Sequence, residues 1–435
     1  YLYGDVPESV RGQVWLQVPQ GMTPTLPPIA GRTIGLDLQH TLYGLRFSGR
    51  QWFLKLHNFL IANNYQPSIV DPCIYLRRTV TGFVAIAVYV DDLAIFSSDD
   101  QLLSDTKECL MNRFKMKDLG EISRYLGLEV ERTDTTFTYH VAPYIAELVA
   151  LYLPDIHPPV LSPADPGVKL SARACPAPES EEHQFMQNVP YDSLVGSLSY
   201  IAVAVRPDIA RAVHTLQRAQ AHPTRAHWYA ALRILQYLRS TPTLGPKYST
   251  LAGTQSQLQV HAYVDASFAP DWQDEDGVSV SGFIVYFAGG PIAWASHKQK
   301  HVAGSTCESE FIALSECLNT LEWIRHFLSE LGIVQHKTKI FEDNQAAISI
   351  ATSLSVSGNS RHVVVRYARV REAVKNETLE VIYVPTNQQY ADTLTKVVST
   401  PNFVKNLPFL LGQSTTDIRS SRQAYSKQYA QSLSP

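Results

Sequence analysis

Six acidic residues of this 435-residue chain stand where side-chain chemistry is possible. Asp91 and Asp92 lie in "VAIAVYVDDLAIFSSDD" (84–100), after the apolar run Phe83–Val90 and before Leu93–Phe96. Two apolar runs parted by two polar residues read as a β-hairpin, whose favoured tips are Asn-Gly or Asp-Gly. Asp-Asp makes a poor tip: neither residue takes positive φ cheaply, and the two carboxylates repel each other. A bound divalent cation removes that conflict, because carboxylate oxygens are the ligands magnesium prefers. Asp99 and Asp100 differ. They precede "QLLSDTKECLMNRF" and read as a helix start, with Ser98 or Asp99 as the cap.

The other four acids fall at element ends in the C-terminal half: Asp265 in "HAYVDASFA", Glu310 in "CESEFIAL", Asp343 in "FEDNQAAI" and Asp392 in "YADTLTK". A single acid at a strand end usually caps or solvates. Four in a β-β-β-α-β-α-β order are a different matter, since that order can gather them at one sheet edge. The predicted helix over 306–331 offers a geometric test. Its apolar stripe runs Leu314, Cys317, Leu321, Ile324, Leu328, and one turn back from Leu314 lies Glu310. Glu308 shares a face with Ser315, Glu316, Asn319 and Glu322, expected to be the solvated side. Glu310 therefore points toward the sheet, where an unpaired carboxylate is expensive and metal ligation accounts for it.

These residues need elements to position them. "GRQWFLKLHNFLIANNY" (49–65) has helical periodicity, with Trp52, Phe53, Leu56, Phe59 and Leu60 on one stripe. The hairpin follows, then a helix near 100–114 and strands near 122–131 and 136–141. "LSPADPGVKLSARACPAPESEE" (161–182) reads as a linker, and 190–240 as helical. From about 256 three strands (258–268, 280–287, 291–296) precede the 306–331 helix, with strand and helix alternating to about 398. Residues 1–30 read as irregular, and the closing "SSRQAYSKQYAQSLSP" as a disordered polar tail.

Composition is that of an ordinary globular chain of two or three domains, 45% apolar and 18% charged. A net charge of −3 excludes a global basic field. Nucleic-acid binding would rest on local patches such as "SHKQKH" (296–301) and "RHVVVRYARVRE" (361–372). Five scattered cysteines without CxxC spacing argue for a reducing, intracellular compartment and against zinc. No apolar run approaches the ~18 residues of a membrane span, and no signal peptide is visible. The chain starts at Tyr1, inside what reads as a structured segment, and is expected to be a fragment.

Twelve segments, in order, resemble the C-terminal part of a copia-type long-terminal-repeat retrotransposon polyprotein, reverse transcriptase followed by ribonuclease H. They are "LYGL" (42–45), "DPCIY" (71–75), "YVDD" (89–92), "MKDLGE" (116–121), "YLGLEV" (125–130), "YDSLVGSLSYIA" (191–202), "RPDI" (206–209), "ILQYLRST" (234–241), "SGFIVYFAGGPIAWASHKQ" (281–299), "ESEFIALSE" (308–316), "DNQAAI" (343–348) and "ADTLTK" (391–396).

The resemblance implies an α+β and α/β chain: a truncated palm-type polymerase over 1–160, a Pro-rich linker and helical connection over 161–250, a ribonuclease H-like mixed sheet with flanking helices over 251–398, and a tail over 399–435. It implies that Asp91 and Asp92 hold polymerase metals, with Tyr43 and Gly44 lining the incoming nucleotide. Asp265, Glu310, Asp343 and Asp392 match the ribonuclease H carboxylates that hold two Mg2+ (or Mn2+) ions at the scissile RNA phosphate. The implied partners are an RNA template, a DNA primer, RNA–DNA hybrids, dNTPs and other segments of the polyprotein, with no membrane; the implied setting is a cytoplasmic particle or the nucleus. Basic residues near 297–301 would contact the hybrid. Two departures stand out. The family's third polymerase aspartate precedes the segment matching "YLYGD", so polymerisation by these residues is expected to be impaired, and the family's Asp and His are Val364 and Ala368 here. An inactive remnant that at most binds nucleic acid, or a stand-alone nuclease, would carry the same motifs.

Overall fold

The computed structural model describes residues 4–17, 35–80, 82–155, 157–171, 176–249, 258–269, 277–353 and 361–432, the side chains of 361–367, 428 and 432 excepted. The chain divides into two compact units, Tyr1–Ile122 with Ser329–Gly332, and Ser123–Leu328 with Ile333–Pro435. The first unit thus ends at Ile122, and residues 123–160 fall in the second. Residues 161–250 do not form a separate connection, because their helices share a core with the strands and helices around them.

In the first unit the helix Ser48–Ala62 buries Trp52, Leu56 and Leu60, one side chain per turn, as the stripe requires. It packs with Tyr75, Val84 and Ile86 of a four-stranded antiparallel sheet ordered Gln66–Pro67, Ile74–Arg78, Phe83–Tyr89, Asp92–Ser97. The helix Asp100–Arg113 completes that core with Leu102 and Leu110. Asp99 caps it, its carboxylate accepting from the Leu102 N–H at 2.7 Å.

The hairpin register corrects the sequence reading. Tyr89 pairs with Asp92, so the two-residue tip is Val90–Asp91, one residue earlier than expected. Polarity suggested the tip, but pairing decides it. Val90 takes φ +54°, a left-handed conformation that a β-branched residue rarely adopts. Its carbonyl accepts from the Trp52 indole N–H at 2.6 Å, which holds the turn against the helix.

The second unit contains two sheets. One is antiparallel, ordered Lys247–Ser249, Thr136–His140, Leu128–Arg132, Arg124–Tyr125. The other is mixed and five-stranded, ordered Gly290–Lys298, Val280–Phe287, His261–Ser267, Thr338–Glu342, Leu379–Tyr383. The first three strands are antiparallel neighbours; the last two run parallel to His261–Ser267. The helices Ala142–Tyr152, Tyr191–Ala204, Ala210–Gln217 and Arg225–Arg239 build an extensive apolar core.

The expected polar tail also belongs to that core. Residues Thr400–Leu411 form a helix whose Phe403, Leu407 and Leu411 recur every fourth position and are buried in it. Thr415–Ser432 is a second helix, anchored by buried Ile418 and Tyr425. Average polarity hides a stripe this narrow.

"RPDI" proves to be structural. The fully buried Arg206 guanidinium grips Asp208 with two bonds of 2.8 Å and donates to the Thr241 carbonyl (2.8 Å) and hydroxyl (3.0 Å). The Tyr237 hydroxyl donates to Asp208 at 2.6 Å. Burial raises the Tyr237 pKa, and the Asp208 carboxylate beside it raises it further. The ion pair therefore ties "RPDI" to "ILQYLRST". Removing one partner leaves a buried charge alone, so Asp208→Ala should cost about 3–5 kcal/mol in urea unfolding. Val90→Gly should stabilise by roughly 0.5–1 kcal/mol, since relief of a left-handed Val outweighs the extra freedom of Gly. A lower unfolding midpoint for Val90→Gly would show that the turn is not strained.

Candidate active site

The acidic positions of the second unit converge because of strand direction. His261–Ser267 and Thr338–Glu342 are parallel, with Tyr263 paired to Phe341. Continued by two residues, that register sets Asp265 level with Asp343 at the carboxyl ends of both strands, the edge where open α/β sheets hold ligands.

Asp392 arrives by close packing. Gly282 sits opposite Asp265 on the neighbouring strand. A Cβ at Gly282 would lie 2.6 Å from Thr395 Cγ2 and 2.9 Å from Leu394 Cβ. Only glycine lets the short helix Asp392–Thr395 settle on the sheet, where the Thr395 hydroxyl donates to the Asp265 carboxylate. Gln389 ties the same segment down by donating to the carbonyls of Val264 (2.8 Å) and Phe341 (3.4 Å).

Glu310 comes from the helix Thr306–Glu330. The buried Gln299 amide locks the start of that helix to the sheet, donating to Ser281 Oγ at 3.1 Å and to the Ser309 carbonyl at 2.8 Å. Glu310 is 6% exposed and points inward, as the stripe requires. Glu308 is half-buried and accepts from the Gly304 N–H at 2.8 Å, closing the first turn of the helix. Ser315, expected on the solvated face, is buried.

The outcome is two overlapping triads. Asp265, Asp343 and Asp392 offer oxygens within 4.8 Å of one another, as do Glu310, Glu342 and Asp343. Asp343 is common to both, and its carboxylate accepts from the Thr386 hydroxyl at 2.7 Å. Burial and the neighbouring carboxylates push Glu310 up to about 11 and Asp392 to about 7. Burial also raises Asp265, against the pull of Lys396 and Thr395. Lys396 faces Asp392 at 2.7 Å and, among the described residues, is the cation paired with the group. One oxygen of Glu310 and one of Glu342 are buried without a hydrogen-bond donor. Oxygen-only donors with orphaned, buried oxygens fit a hard divalent cation; the set lacks the nitrogen and sulfur ligands of a zinc centre.

Asp91 and Asp92 are exposed at the first unit's hairpin. Asp91 accepts from the Tyr43 hydroxyl at 2.7 Å, so the structure joins two of the residues singled out there. Gly44 follows at φ +88°, which glycine permits. Among the described residues no third acid, histidine or cysteine completes an ion-holding cluster with Asp91 and Asp92.

Residues 1–155 match the family model described as "Reverse transcriptase (RNA-dependent DNA polymerase)". The Pol polyprotein of transposon TNT 1-94 from Nicotiana tabacum is 35% identical over 93% of this chain and 29% of its own length. That of transposon RE1 from Arabidopsis thaliana is 34% identical over 84% of this chain and 24% of its own. Over most of its length the chain is similar to these Pol polyproteins of copia-type retrotransposons. It spans less than a third of either relative's length. The structure of LC11-RNase H1, isolated from compost, aligns with 32% of this chain and 93% of its own at TM-score 0.26 and 13% identity.

His297 bonds Glu316 at 3.1 Å, and the side chains of 361–367, including Val364, lie outside the described residues. Glu342 is the acid the sequence reading missed. The burial alternation of "TKIFE" was its signal, since Glu342 shares a face with Thr338 and Ile340. Gly282→Ala overpacks the contact with Leu394 and Thr395 and should cost about 1–3 kcal/mol. It should also shrink the rise in melting temperature on adding Mn2+. An unchanged Mn2+ response would show that Gly282 does not set the position of Asp392.

Proposed function

We propose that the second unit cleaves the RNA strand of RNA–DNA hybrids with two divalent cations, Mg2+ or Mn2+, leaving a 3′-hydroxyl. The observation that carries this reading is the pair of carboxylate triads sharing Asp343. Asp265, Asp343 and Asp392 would hold one ion, and Glu310 with Asp343 the other. Bound there, the cations supply Lewis acidity toward the attacking water and the leaving 3′-oxygen of the phosphodiester.

The chain's own residues prepare that chemistry. Thr386 and Thr395 orient Asp343 and Asp265 through hydroxyl donors. Gln299 and Gln389 fix the elements that carry Glu310 and Asp392, so the acids need little reorganisation when the charge of the transition state develops. Lys396, beside Asp392, keeps part of the negative field balanced when the ions are absent.

The first unit fits the palm of an RNA-directed DNA polymerase, with Asp91 and Asp92 as metal ligands and Tyr43 and Gly44 at the nucleotide. The family match and the Tyr43–Asp91 bond support that assignment. Among the described residues four cysteines are free, consistent with an intracellular setting, a particle or the nucleus. Among the described residues no helix is long and apolar enough to cross a membrane.

The test is cleavage of a hybrid labelled on its RNA strand by the 435-residue chain. Mg2+-dependent fragments ending in 3′-hydroxyls are expected. Asp343→Asn should slow cleavage by about 10²–10³-fold while leaving hybrid affinity nearly unchanged, and Glu308→Gln should be nearly silent. No cleavage by the parent chain in either metal, or full activity in Asp343→Asn, would overturn the reading. Primer extension on an RNA template, if it depends on the hairpin acids, should vanish in Asp91→Asn while hybrid cleavage persists.

A further inference from the structure

Glu342 is a glutamate that the four-carboxylate reading leaves without a task. It ends the strand Thr338–Glu342 and is fully buried. One oxygen accepts from the Asn344 N–H at 2.9 Å; the other meets no donor. Among the described residues no lysine or arginine pairs with it. A buried carboxylate in that state is among the more expensive arrangements a fold can keep.

Its direction gives the reason. Thr338, Ile340 and Glu342 share one face of the strand. Thr338 marks that face as the one turned to the helix Thr306–Glu330, because its hydroxyl accepts from Arg325 of that helix at 2.6 Å. Glu310 lies on the same helix with its own orphaned oxygen. Glu342, Glu310 and Asp343 then present oxygens within 4.8 Å of one another. Two buried acids from different elements, each with a free oxygen in one small space, are the arrangement a cation would complete.

We infer that Glu342 is a fifth carboxylate ligand of this site, completing with Glu310 and Asp343 a position for a hard divalent cation such as Mg2+ or Mn2+. The charges agree. Five ionised carboxylates and Lys396 sum to −4, which two divalent cations neutralise. The assignment rests on the cation-dependent reading of the site and adds to it a ligand that would tighten one of the two positions.

Mn2+ binding to the full chain, followed by electron paramagnetic resonance and by calorimetry, tests this without any need for cleavage. With the hairpin acids removed (Asp91→Asn with Asp92→Asn) in every chain compared, the parent should bind two ions. Glu342→Gln, nearly isosteric, should weaken one of them by about 10–100-fold, the range seen when groups around a metal are removed. Glu342→Met should do the same. Both variants should unfold in EDTA at or above the parent's urea midpoint, because they remove a buried acid that has no cation to serve. Affinity for both ions within twofold of the parent would overturn the assignment and make Glu342 a neutral packing group. Failure of both variants to fold in EDTA would overturn it too, by making the carboxyl a structural hydrogen-bonding group. A parent chain that binds two Mn2+ ions but leaves hybrids uncut would defeat the nuclease reading while leaving this ligand assignment standing.

Discussion

Five carboxylates gathered at one edge of a mixed sheet repel one another, and the rest of the second unit is arranged to hold them there. Left to themselves, buried acids this close take up protons or force the elements apart. Neutral donors restrain them: the Thr386 and Thr395 hydroxyls on Asp343 and Asp265, and the Asn344 backbone on Glu342. The scaffold behind is polar, with the side-chain amide N–H groups of Gln299 and Gln389 bridging strands to a helix and a loop. Gly282 makes the closest approach possible. What the protein does not supply is positive charge in proportion, since Lys396 is the cation paired at the cluster among the described residues.

Rigidity at that edge depends on a second buried polar device. Arg206, Asp208, Tyr237 and Thr241 satisfy one another inside the helical core. The two segments involved are far apart in sequence, and a network with every member bonded specifies how they meet. The same core contains Phe403, Leu407 and Leu411, and the helix bearing them follows directly on the Asp392–Thr395 turn. Packing of the chain's last helices therefore bears on an acid of the site. Reading 399–435 as a disordered tail missed that link.

Much of the site was legible because its signals are periodic. The stripe Leu314–Leu328 selected Glu310 over Glu308, and the strand order brought Asp265 and Asp343 to one edge. Where the sequence reading failed, a local rule was applied to the wrong unit. Polarity placed the hairpin tip at Asp91–Asp92, but cross-strand pairing moved it one residue, so that Asp92 opens the returning strand opposite Tyr89. Glu342 was passed over beside Asp343, although strict alternation assigns it to the buried face with Ile340. The final helices were judged by mean composition, which a stripe of one buried residue per turn scarcely alters. "RPDI" reads equally well as a site or as a strut, and only its burial distinguishes them.

The two acidic sites store their cost in different places. At the sheet edge the cost is electrostatic: Glu310 and Glu342 are buried, each with an oxygen no donor reaches. At the hairpin the acids face solvent, and Asp91 already has a partner in the Tyr43 hydroxyl. There the cost is torsional and falls on Val90, whose left-handed backbone is held by the Trp52 indole. The difference has a physical consequence. Charge crowding is relieved by whatever brings positive charge, so the sheet-edge site gains stability from the ion it would use. Torsional strain is indifferent to ions and stays in the hairpin whether or not one is bound. The Trp52 bond, not an ion, holds the turn in which Asp91 lies at the tip and Asp92 opens the returning strand.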